Sequence, residues 1–548
     1  MNNQFASIFG VPGPYGQFQT KPAEYLLAGR NVILQAPTGS GKTMAALFPY
    51  FLARKENANF PRKMLYCIPM RVLARGFYED LIQGGKHTSL DIRLQTGEQQ
   101  DDRWLTGEIT FTTIDQVLSS FLNIPYSLSL RQANVNAGAV VSSYLVFDEF
   151  HLLDPGSTLP TTLEMLRMLK GIAPFLLMTA TFSGEMLGRL AGLLEAEVVS
   201  VPPGELSGIP SQKGKERCIH RIDELLTGEA VLAHHRNRSI AICNTVERAQ
   251  NLFEALKAQV KPDTRIILLH SCFLQADRQK KEDEIRFFFG KERKKEGNVI
   301  LVATQVIEVG LDITCEVMHT EIAPASTIIQ RAGRCARFQG EKGNVYVYQV
   351  PLTQKGKPNY APYHNQQEAL CDKTWEALAE FNKNMDFTAE QQLVNLVHTS
   401  ADAQMLSNME QTSYTHRKNM EKAIAGQEMG LARELIRSDD SISLLVHPNP
   451  SEIENPYNLE GFSLFFGTVH RQFNTWTKTG LPHEKILWLL KYPREKDEGE
   501  NEDRPDKYEW LKVEDHKDLH RSAIYVANPL LAQYDSNMGF RFTHGGDF

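Results

Sequence analysis

Three short blocks of this sequence hold residues whose types and spacing fit phosphate chemistry. The first, Ala36-Pro37-Thr38-Gly39-Ser40-Gly41-Lys42-Thr43, reads as a phosphate loop. Gly39 and Gly41 let the backbone bend tightly and approach a phosphate closely. Lys42 would reach the β- and γ-phosphates and the Thr43 hydroxyl would ligate magnesium. The second, Asp148-Glu149-Phe150-His151, ends an apolar run. Asp148 is the expected magnesium partner and Glu149 the general base or water-positioner. The third is Gln330-Arg331-Ala332-Gly333-Arg334-Cys335-Ala336-Arg337. Arg334 and Arg337 stand three apart, which on a helix puts two guanidinium forks on one face. Aimed into a cleft, they would stabilise charge on a transferring phosphoryl group, with Arg331 left to hold an internal carboxylate. Singly, each block also fits a plain structural use: a solvent loop, an acidic helix cap, a surface ion pair. In this order they imply that a bound nucleotide is hydrolysed between two domains.

For these groups to meet, each block must stand at the end of a strand. Residues 31–36 read as a buried strand entering the glycine loop, and 42–54 as the helix leaving it. Further apolar runs at 64–69, 108–112, 144–148 and 175–179 are separated by helical stretches, the pattern of a parallel sheet covered on both faces. Val201-Pro202-Pro203-Gly204 breaks the pattern, and the Gly/Ser/Pro/Lys-rich stretch to Lys215 reads as a linker. A second series has strands at 239–243, 265–270, 299–303 and 317–321, with 344–350 closing the sheet. Past residue 351, the segment 363–438 reads as amphipathic helices, 441–446 and 462–469 as strands, and 494–507 as a solvated charge run. The expected division is 1–202, 203–350 and 351–548.

Composition narrows the class. The 548 residues are 42% hydrophobic and 23% charged, ordinary for a globular protein. A net charge of −7 does not advertise a polyanionic partner, although a basic channel in an acidic surface would suffice for one. Seven scattered cysteines without a Cys-x-x-Cys pair argue against zinc or a disulfide scaffold and for reduced thiols. No apolar run reaches the roughly 18 residues of a membrane span. Met1-Asn2-Asn3-Gln4 lacks a signal-peptide signature, so a cytoplasmic protein without a membrane partner is expected.

Further blocks, in chain order, resemble the motifs of superfamily-two helicases. Gln19 lies upstream of Lys42 at the spacing of the adenine-reading Q motif, with Gly29-Arg30 between them. Met70-Arg71-Val72-Leu73-Ala74 resembles motif Ia, and Thr112-Thr113-Ile114-Asp115-Gln116 motif Ic. Thr179-Ala180-Thr181 resembles motif III, which couples the two domains, and Cys243-Asn244-Thr245-Val246 motif IV. Residues 303–312 resemble motif V, which places Gly310 and Asp312 at the ATP site with Gln19, Pro37, Thr38, Gly39, Ser40, Gly41, Lys42 and Thr43. The resemblance covers about residues 9–350. It implies an α/β fold of two tandem RecA-like parallel-sheet domains with an α+β C-terminal accessory domain, binding ATP and Mg2+ in the cleft. It also implies that Lys42, Asp148, Glu149, Gln330, Arg334 and Arg337 catalyse, and that His151 links the hydrolytic site to the Gln330–Arg337 block. The family's upstream adenine-stacking aromatic has no counterpart here, and Phe9, Tyr15 or Phe18 would substitute.

Asp-Glu-Phe-His in place of Asp-Glu-Ala-Asp, and Gln330 where RNA-unwinding relatives carry His, resemble processive strand translocases. Arg131-Gln132-Ala133-Asn134-Val135, the run 147–155, Asn244-Thr245-Val246-Glu247-Arg248-Ala249 and Leu269-His270-Ser271-Cys272-Phe273 resemble the CRISPR-associated helicases of type I interference. That resemblance implies pulling single-stranded DNA in the three-prime to five-prime direction, after recruitment to a guide-RNA surveillance complex. Such helicases often carry an HD nuclease before the motor. Here the phosphate loop falls within the first fifty residues and no His-Asp dipeptide occurs, so a separate HD nuclease subunit is expected, as in subtype D. The strand would be held by its phosphates, with Arg71, Thr113, Asn244 and Thr304 as candidates, each of which also fits a buried loop cap. The alternating charges of 280–295 fit a solvated helix, with residues 287–289 turned to the core. Rival readings are an RNA helicase, a DNA-repair helicase, and a non-hydrolysing module that closes on ATP.

Overall fold

The computed structural model describes residues 1–69, 90–97, 99–291, 297–308, 310–381, 384–437, 441–478, 487–491, 509–521 and 523–542. The motif Ia block with Arg71, and the charge run 494–507, lie outside these residues.

Seven parallel strands make the first sheet: β1 (Asn31–Gln35), β2 (Met64–Ile68), β3 (Ile92–Gln95), β4 (Ile109–Thr113), β5 (Tyr144–Phe147), β6 (Phe175–Thr179) and β7 (Ala196–Ser200). Their order is β3-β4-β2-β5-β6-β1-β7. Alternate residues feed two separate cores. Val32, Leu34, Met64, Tyr66, Tyr144, Val146, Leu176 and Met178 pack on one face. Ile33, Leu65, Cys67, Leu145, Phe147, Phe175 and Leu177 pack on the other. This two-faced burial is why the sequence runs are continuously apolar rather than alternating.

The second sheet holds β8 (Glu216–Leu225), β9 (Arg238–Ile242), β10 (Arg265–Leu269), β11 (Val299–Ala303), β12 (Val317–Glu321) and β13 (Lys342–Gln349), ordered β10-β11-β9-β12-β13-β8 and parallel throughout. β3, β7 and β8 are absent from the sequence expectation. All three are edge strands with one wet side, and their charged residues break the apolar run that betrays a central strand. The segment expected as a linker is docked. Glu205 accepts from the Gln17 N–H at 3.0 Å, and the Ser211 hydroxyl donates to the Thr38 carbonyl at 3.4 Å.

A helix of 40 residues, Phe387–Gly426, spans about 60 Å at the usual rise of 1.5 Å per residue. Leu393, Val394 and Val397 in its first half complete the second sheet's core. Leu406 at its midpoint and Met420 and Ala423 in its second half complete the first sheet's core. Beyond it, β14 (Ser441–Val446), β15 (Phe462–Phe465), β16 (Leu487–Lys491), β17 (Glu509–Lys512) and β18 (Ile524–Ala527) form a mixed sheet. The stretch 462–469 is not one strand. Phe462 and Leu464 keep a period of two, but Val469 and Phe473 are buried four apart on the helix Phe466–Lys478. A hairpin of β19 (Ala532–Asp535) and β20 (Gly539–Phe542) straps onto the second sheet, where Gln250 Nε2 donates to the Met538 and Phe540 carbonyls at 2.8 and 3.0 Å. Phe289 is buried and Phe288 partly so, but Phe287 is exposed, so the expected core-facing run holds at two of its three phenylalanines and fails at Phe287. All seven cysteines are free. Among the described residues, no helix is long and apolar enough to cross a membrane.

Candidate nucleotide site

Strand order brings the blocks together. β5, β6 and β1 are consecutive neighbours and run in one direction, so Asp148-Glu149, Thr179-Ala180-Thr181 and the phosphate loop leave adjacent carboxyl ends. That edge is where open α/β sheets bind ligands. Gly39 and Gly41 hold φ of 75° and 85°, a left-handed conformation that favours glycine. A Cβ on Gly41 would also lie 2.6 Å from Gln19 Nε2. The Lys42 ammonium donates to the Ala36 carbonyl at 3.3 Å, folded back under the loop.

Asp148 is buried, and its Oδ1 accepts the Glu149 N–H at 2.9 Å. Burial and the Glu149 charge raise its pKa to about 6, against the pull of Lys42. Burial pushes Glu149 upward too, but the charge of Lys42, with those of Arg334 and Arg337, outweighs it and holds the carboxyl below its ordinary value. Glu149 itself takes a left-handed φ of 47°, a strained setting for a non-glycine residue.

One further residue joins Thr43 and Asp148, the two expected magnesium ligands. Tyr66 on β2 donates its hydroxyl to Asp148 Oδ2 at 2.8 Å and accepts from Thr43. The hydroxyl of Thr43 and the carboxylate of Asp148 therefore converge on one phenol oxygen, a hard all-oxygen set that suits magnesium. No motif flags Tyr66. The available signal is a tyrosine in the otherwise apolar run Met64–Ile68, whose buried hydroxyl must find a partner.

His151 does not reach the Gln330–Arg337 segment. Its Nδ1 lies 3.3 Å from Thr179 Oγ1 and 3.5 Å from Glu149 Oε2, so it joins Glu149 to the Thr179-Ala180-Thr181 block instead. Burial lowers its pKa to about 4, leaving a neutral ring. His151 Nε2, Thr181 Oγ1 and Ser40 Oγ are buried without a hydrogen-bond partner among the described residues.

The arginines differ from the helix-face expectation. The helix Ala325–Ala332 stops before both Arg334 and Arg337. Past Gly333 the backbone pairs with Cys315 instead: the Cys315 N–H donates to the Arg334 carbonyl and the Ala336 N–H to the Cys315 carbonyl, each at 3.0 Å. Ala336 turns the chain at a φ of 47°. Arg334 donates to the Ile307 and Glu308 carbonyls at 2.9 and 2.6 Å, and burial with the neighbouring Arg337 lowers its pKa to about 9. Arg337 pairs with Asp312, beside Gly310 at a φ of 98°. Arg331 holds an internal carboxylate as expected: Glu308 at 2.8 Å, together with Asn244 Oδ1, Thr320 Oγ1, the Glu321 carbonyl and the Tyr363 hydroxyl. Gln330 is half-buried at the end of that helix.

Gln19 is spent on the phosphate loop, with Nε2 3.5 and 3.2 Å from the Ser40 and Gly41 carbonyls and Oε1 accepting the Tyr15 N–H at 2.7 Å. Of the three candidate aromatics, Phe18 is core and Phe9 packs on Phe5, Phe48 and Phe51. Tyr15 alone is exposed, its ring edge beside Gly41. Of the strand-holding candidates, Thr113, Asn244 and Thr304 are buried at the carboxyl ends of their strands. The Asn244 side chain is engaged at both ends, donating to the Ile322 carbonyl at 2.9 Å and accepting from Arg331.

Comparison with known proteins agrees with this geometry. A family model described as DEAD/DEAH box helicase matches residues 17–189. One described as CRISPR-associated nuclease/helicase Cas3, C-terminal, matches 235–340. A putative CRISPR-associated nuclease/helicase Cas3 from Methanocaldococcus jannaschii is 29% identical over 72% of the chain and 56% of its own length, so the chain spans little more than half of that relative. The crystal structure of T. fusca Cas3 superposes with a TM-score of 0.66 at 17% identity, covering 98% of this chain and 72% of that one. A chain of a pre-nicking CRISPR RNA-guided surveillance complex superposes at 0.57 and 19% identity, covering 98% and 71%. The chain is similar to the Cas3 helicases through both parallel-sheet regions, and its fold is theirs.

Proposed function

We propose that this chain is an ATP-driven motor of CRISPR type I interference, pulling single-stranded DNA after recruitment to a guide-RNA surveillance complex. The observation that carries the reading is the surroundings of Glu149. Cations from both sheets, Lys42 on one side and Arg334 and Arg337 on the other, act on a single carboxylate. A group so placed stays ionised and can take a proton while phosphoryl charge develops next to arginine.

In this reading the amides of Gly39, Ser40 and Gly41 hold the β- and γ-phosphates, and Lys42 turns from the Ala36 carbonyl to them. Tyr15 stacks on the adenine, and Gln19 turns from the Ser40 and Gly41 carbonyls to the adenine edge. Thr43 and Asp148 hold Mg2+, which when bound neutralises the phosphates and orients them. Glu149 accepts the proton of the attacking water. Arg334 and Arg337 stabilise the charge on the leaving phosphoryl group. Phosphate release frees Arg337 to return to Asp312, and His151 passes the change at Glu149 to Thr179 and Thr181. The strand runs over the strand ends carrying Thr113, Asn244 and Thr304, gripped by backbone amides and hydroxyls, with Arg71 as the basic contact. The reading extends to a cytoplasmic location and a nuclease on a separate subunit.

The test is ATP turnover with equal lengths of single-stranded DNA and RNA. Stimulation by DNA, lost in Glu149→Gln while labelled ATP still binds, supports the motor. Stronger stimulation by RNA makes it an RNA helicase, and binding without turnover under any strand makes it an ATP-gated module. Tagged protein that co-purifies a guide-RNA complex and a nuclease supports the recruitment; a repair complex in their place reassigns the motor.

A further inference from the structure

The long helix Phe387–Gly426 carries two adjacent polar residues that face different sheets. Neighbours on a helix point about 100° apart, so two such side chains can address two bodies at once. Gln391 turns to the first sheet. Its Nε2 donates to the carbonyl of Ala180, in the middle of motif III, at 2.7 Å. Its Oε1 accepts from Gln35 Nε2 at 2.8 Å, and Gln35 also donates to the Phe182 carbonyl at 2.8 Å. Gln35 ends β1, one residue before the phosphate loop. Glu390 turns to the second sheet and pairs with Arg217, whose side chain is 1% exposed. Arg217 in turn donates to the Ala332 carbonyl at 2.8 Å, the last residue of the helix that precedes Arg334.

We propose that Glu390 and Gln391 are positioning residues of the hydrolytic cycle. They form a bonded path from the phosphate loop and motif III, through the long helix, to the turn that carries Arg334 and Arg337. The reading rests on the ATPase assignment and adds to it a second link between the two halves of the cleft, supplied by a helix outside both sheets. The path has physical grounds. Gln35, Ala180 and Arg217 are buried, so their hydrogen bonds are costly to leave unmade. A shift of the phosphate loop or of motif III therefore drags Gln391 rather than releasing it. The helix is rigid over one residue, so Glu390 follows, and with it the Arg217–Ala332 contact that sets where the arginine turn sits.

Gln391→Met keeps side-chain length and helix propensity but removes both hydrogen bonds. We expect its strand-stimulated kcat for ATP to fall about tenfold with KM for ATP close to wild type, while the bonds left unmade lower the melting temperature by only a few degrees. Glu390→Gln, whose amide oxygen can still accept from Arg217 but no longer balances its charge, should show the same kinetic split with a larger loss of stability. In the double variant the two losses should not multiply, because both cut one path. Wild-type kcat in Gln391→Met, or a kcat that returns to wild type when assayed well below the variant's melting temperature, overturns the proposal, as do losses that multiply in the double variant. Absence of strand-stimulated turnover in the wild-type chain instead overturns the ATPase reading, and this inference with it.

Discussion

The carboxyl edges of the two parallel sheets are built to opposite rules. At the first, Ser40 Oγ, His151 Nε2 and Thr181 Oγ1 are buried without partners, and Asp148 and Glu149 lie side by side. At the second, Asn244, Glu308, Thr320, Glu321, Arg331 and Tyr363 close into one network around the Arg331 guanidinium. Buried polar groups are normally satisfied, so the first edge carries a cost that the second avoids. The difference separates two jobs. The first edge is arranged for groups that arrive and leave. The second is a stiff block that presents Arg334 and Arg337.

The sharpest way to break this contrast is to exchange roles between neighbouring arginines. Arg334→Ala should lower kcat for ATP on the order of a thousandfold while the protein remains folded, as read by steady-state turnover and circular dichroism. A change under roughly threefold would return Arg334 to structure. Arg331→Ala should do the reverse. It strands Glu308 without its cation and should cost about 3–5 kcal/mol in urea unfolding. An unchanged unfolding midpoint would show that the second edge is not the stiff block described. A smaller effect is expected at Tyr66→Phe. Magnesium titrated against a fluorescent nucleotide should bind about tenfold more weakly, with metal-free nucleotide binding unchanged. Thr181→Val should leave stability within about 1 kcal/mol, since the hydroxyl it removes bonds none of the described residues, yet reduce the strand-stimulated rate. A destabilised Thr181→Val with normal stimulation would make that hydroxyl merely structural.

The smallest effect concerns acid. Burial lowers His151, His270 and His398 to about 4 and His319 to about 3. Their unfolded values lie near 6.5, so the unfolded chain takes up these protons first. The stability they contribute is whole above about pH 6.5 and is lost as pH falls toward 4. Asp148, raised to about 6, acts in the opposite sense, since the native state binds its proton first. His416 is lowered as well, and Glu308 and Asp402 are raised like Asp148; five histidines against three carboxyls should still make the melting temperature fall between pH 7 and pH 5. His319→Phe should flatten that slope, and an unaltered slope would remove the second-sheet histidine from the account.

Much of this was legible from the chain because chemistry and strand endings coincide. Apolar runs such as 144–148 and 175–179 mark central strands, and the polar residues that stop them are the ones that meet at the sheet edge. What stayed hidden has physical reasons. β3, β7 and β8 are half-wet edges without a continuous apolar run. The arginine turn departs from a helix because Gly333 ends it and Cys315 captures the backbone, a tertiary pairing that local spacing does not encode. Tyr66 and Gln391 sit in ordinary strand and helix sequence and gain their roles from partners far along the chain, Asp148 for one and Gln35 and Ala180 for the other. His151 points to motif III because its ring is buried beside Thr179, and only the packing of β6 on β5 decides that.

The helix Phe387–Gly426 gives the chain an unusual intolerance. Val397 belongs to one core and Leu406 to the other, with a single uninterrupted helix between them. One residue inserted there would turn the far half by about 100° and carry it about 1.5 Å along. Leu406, Met420 and Ala423 would then miss the first sheet while Leu393 and Val394 still held the second. A loop in that position would absorb such an insertion, as loops do. Here the spacing of the two sheets is written as a residue count, and an insertion or deletion between the two cores would be felt at the nucleotide cleft.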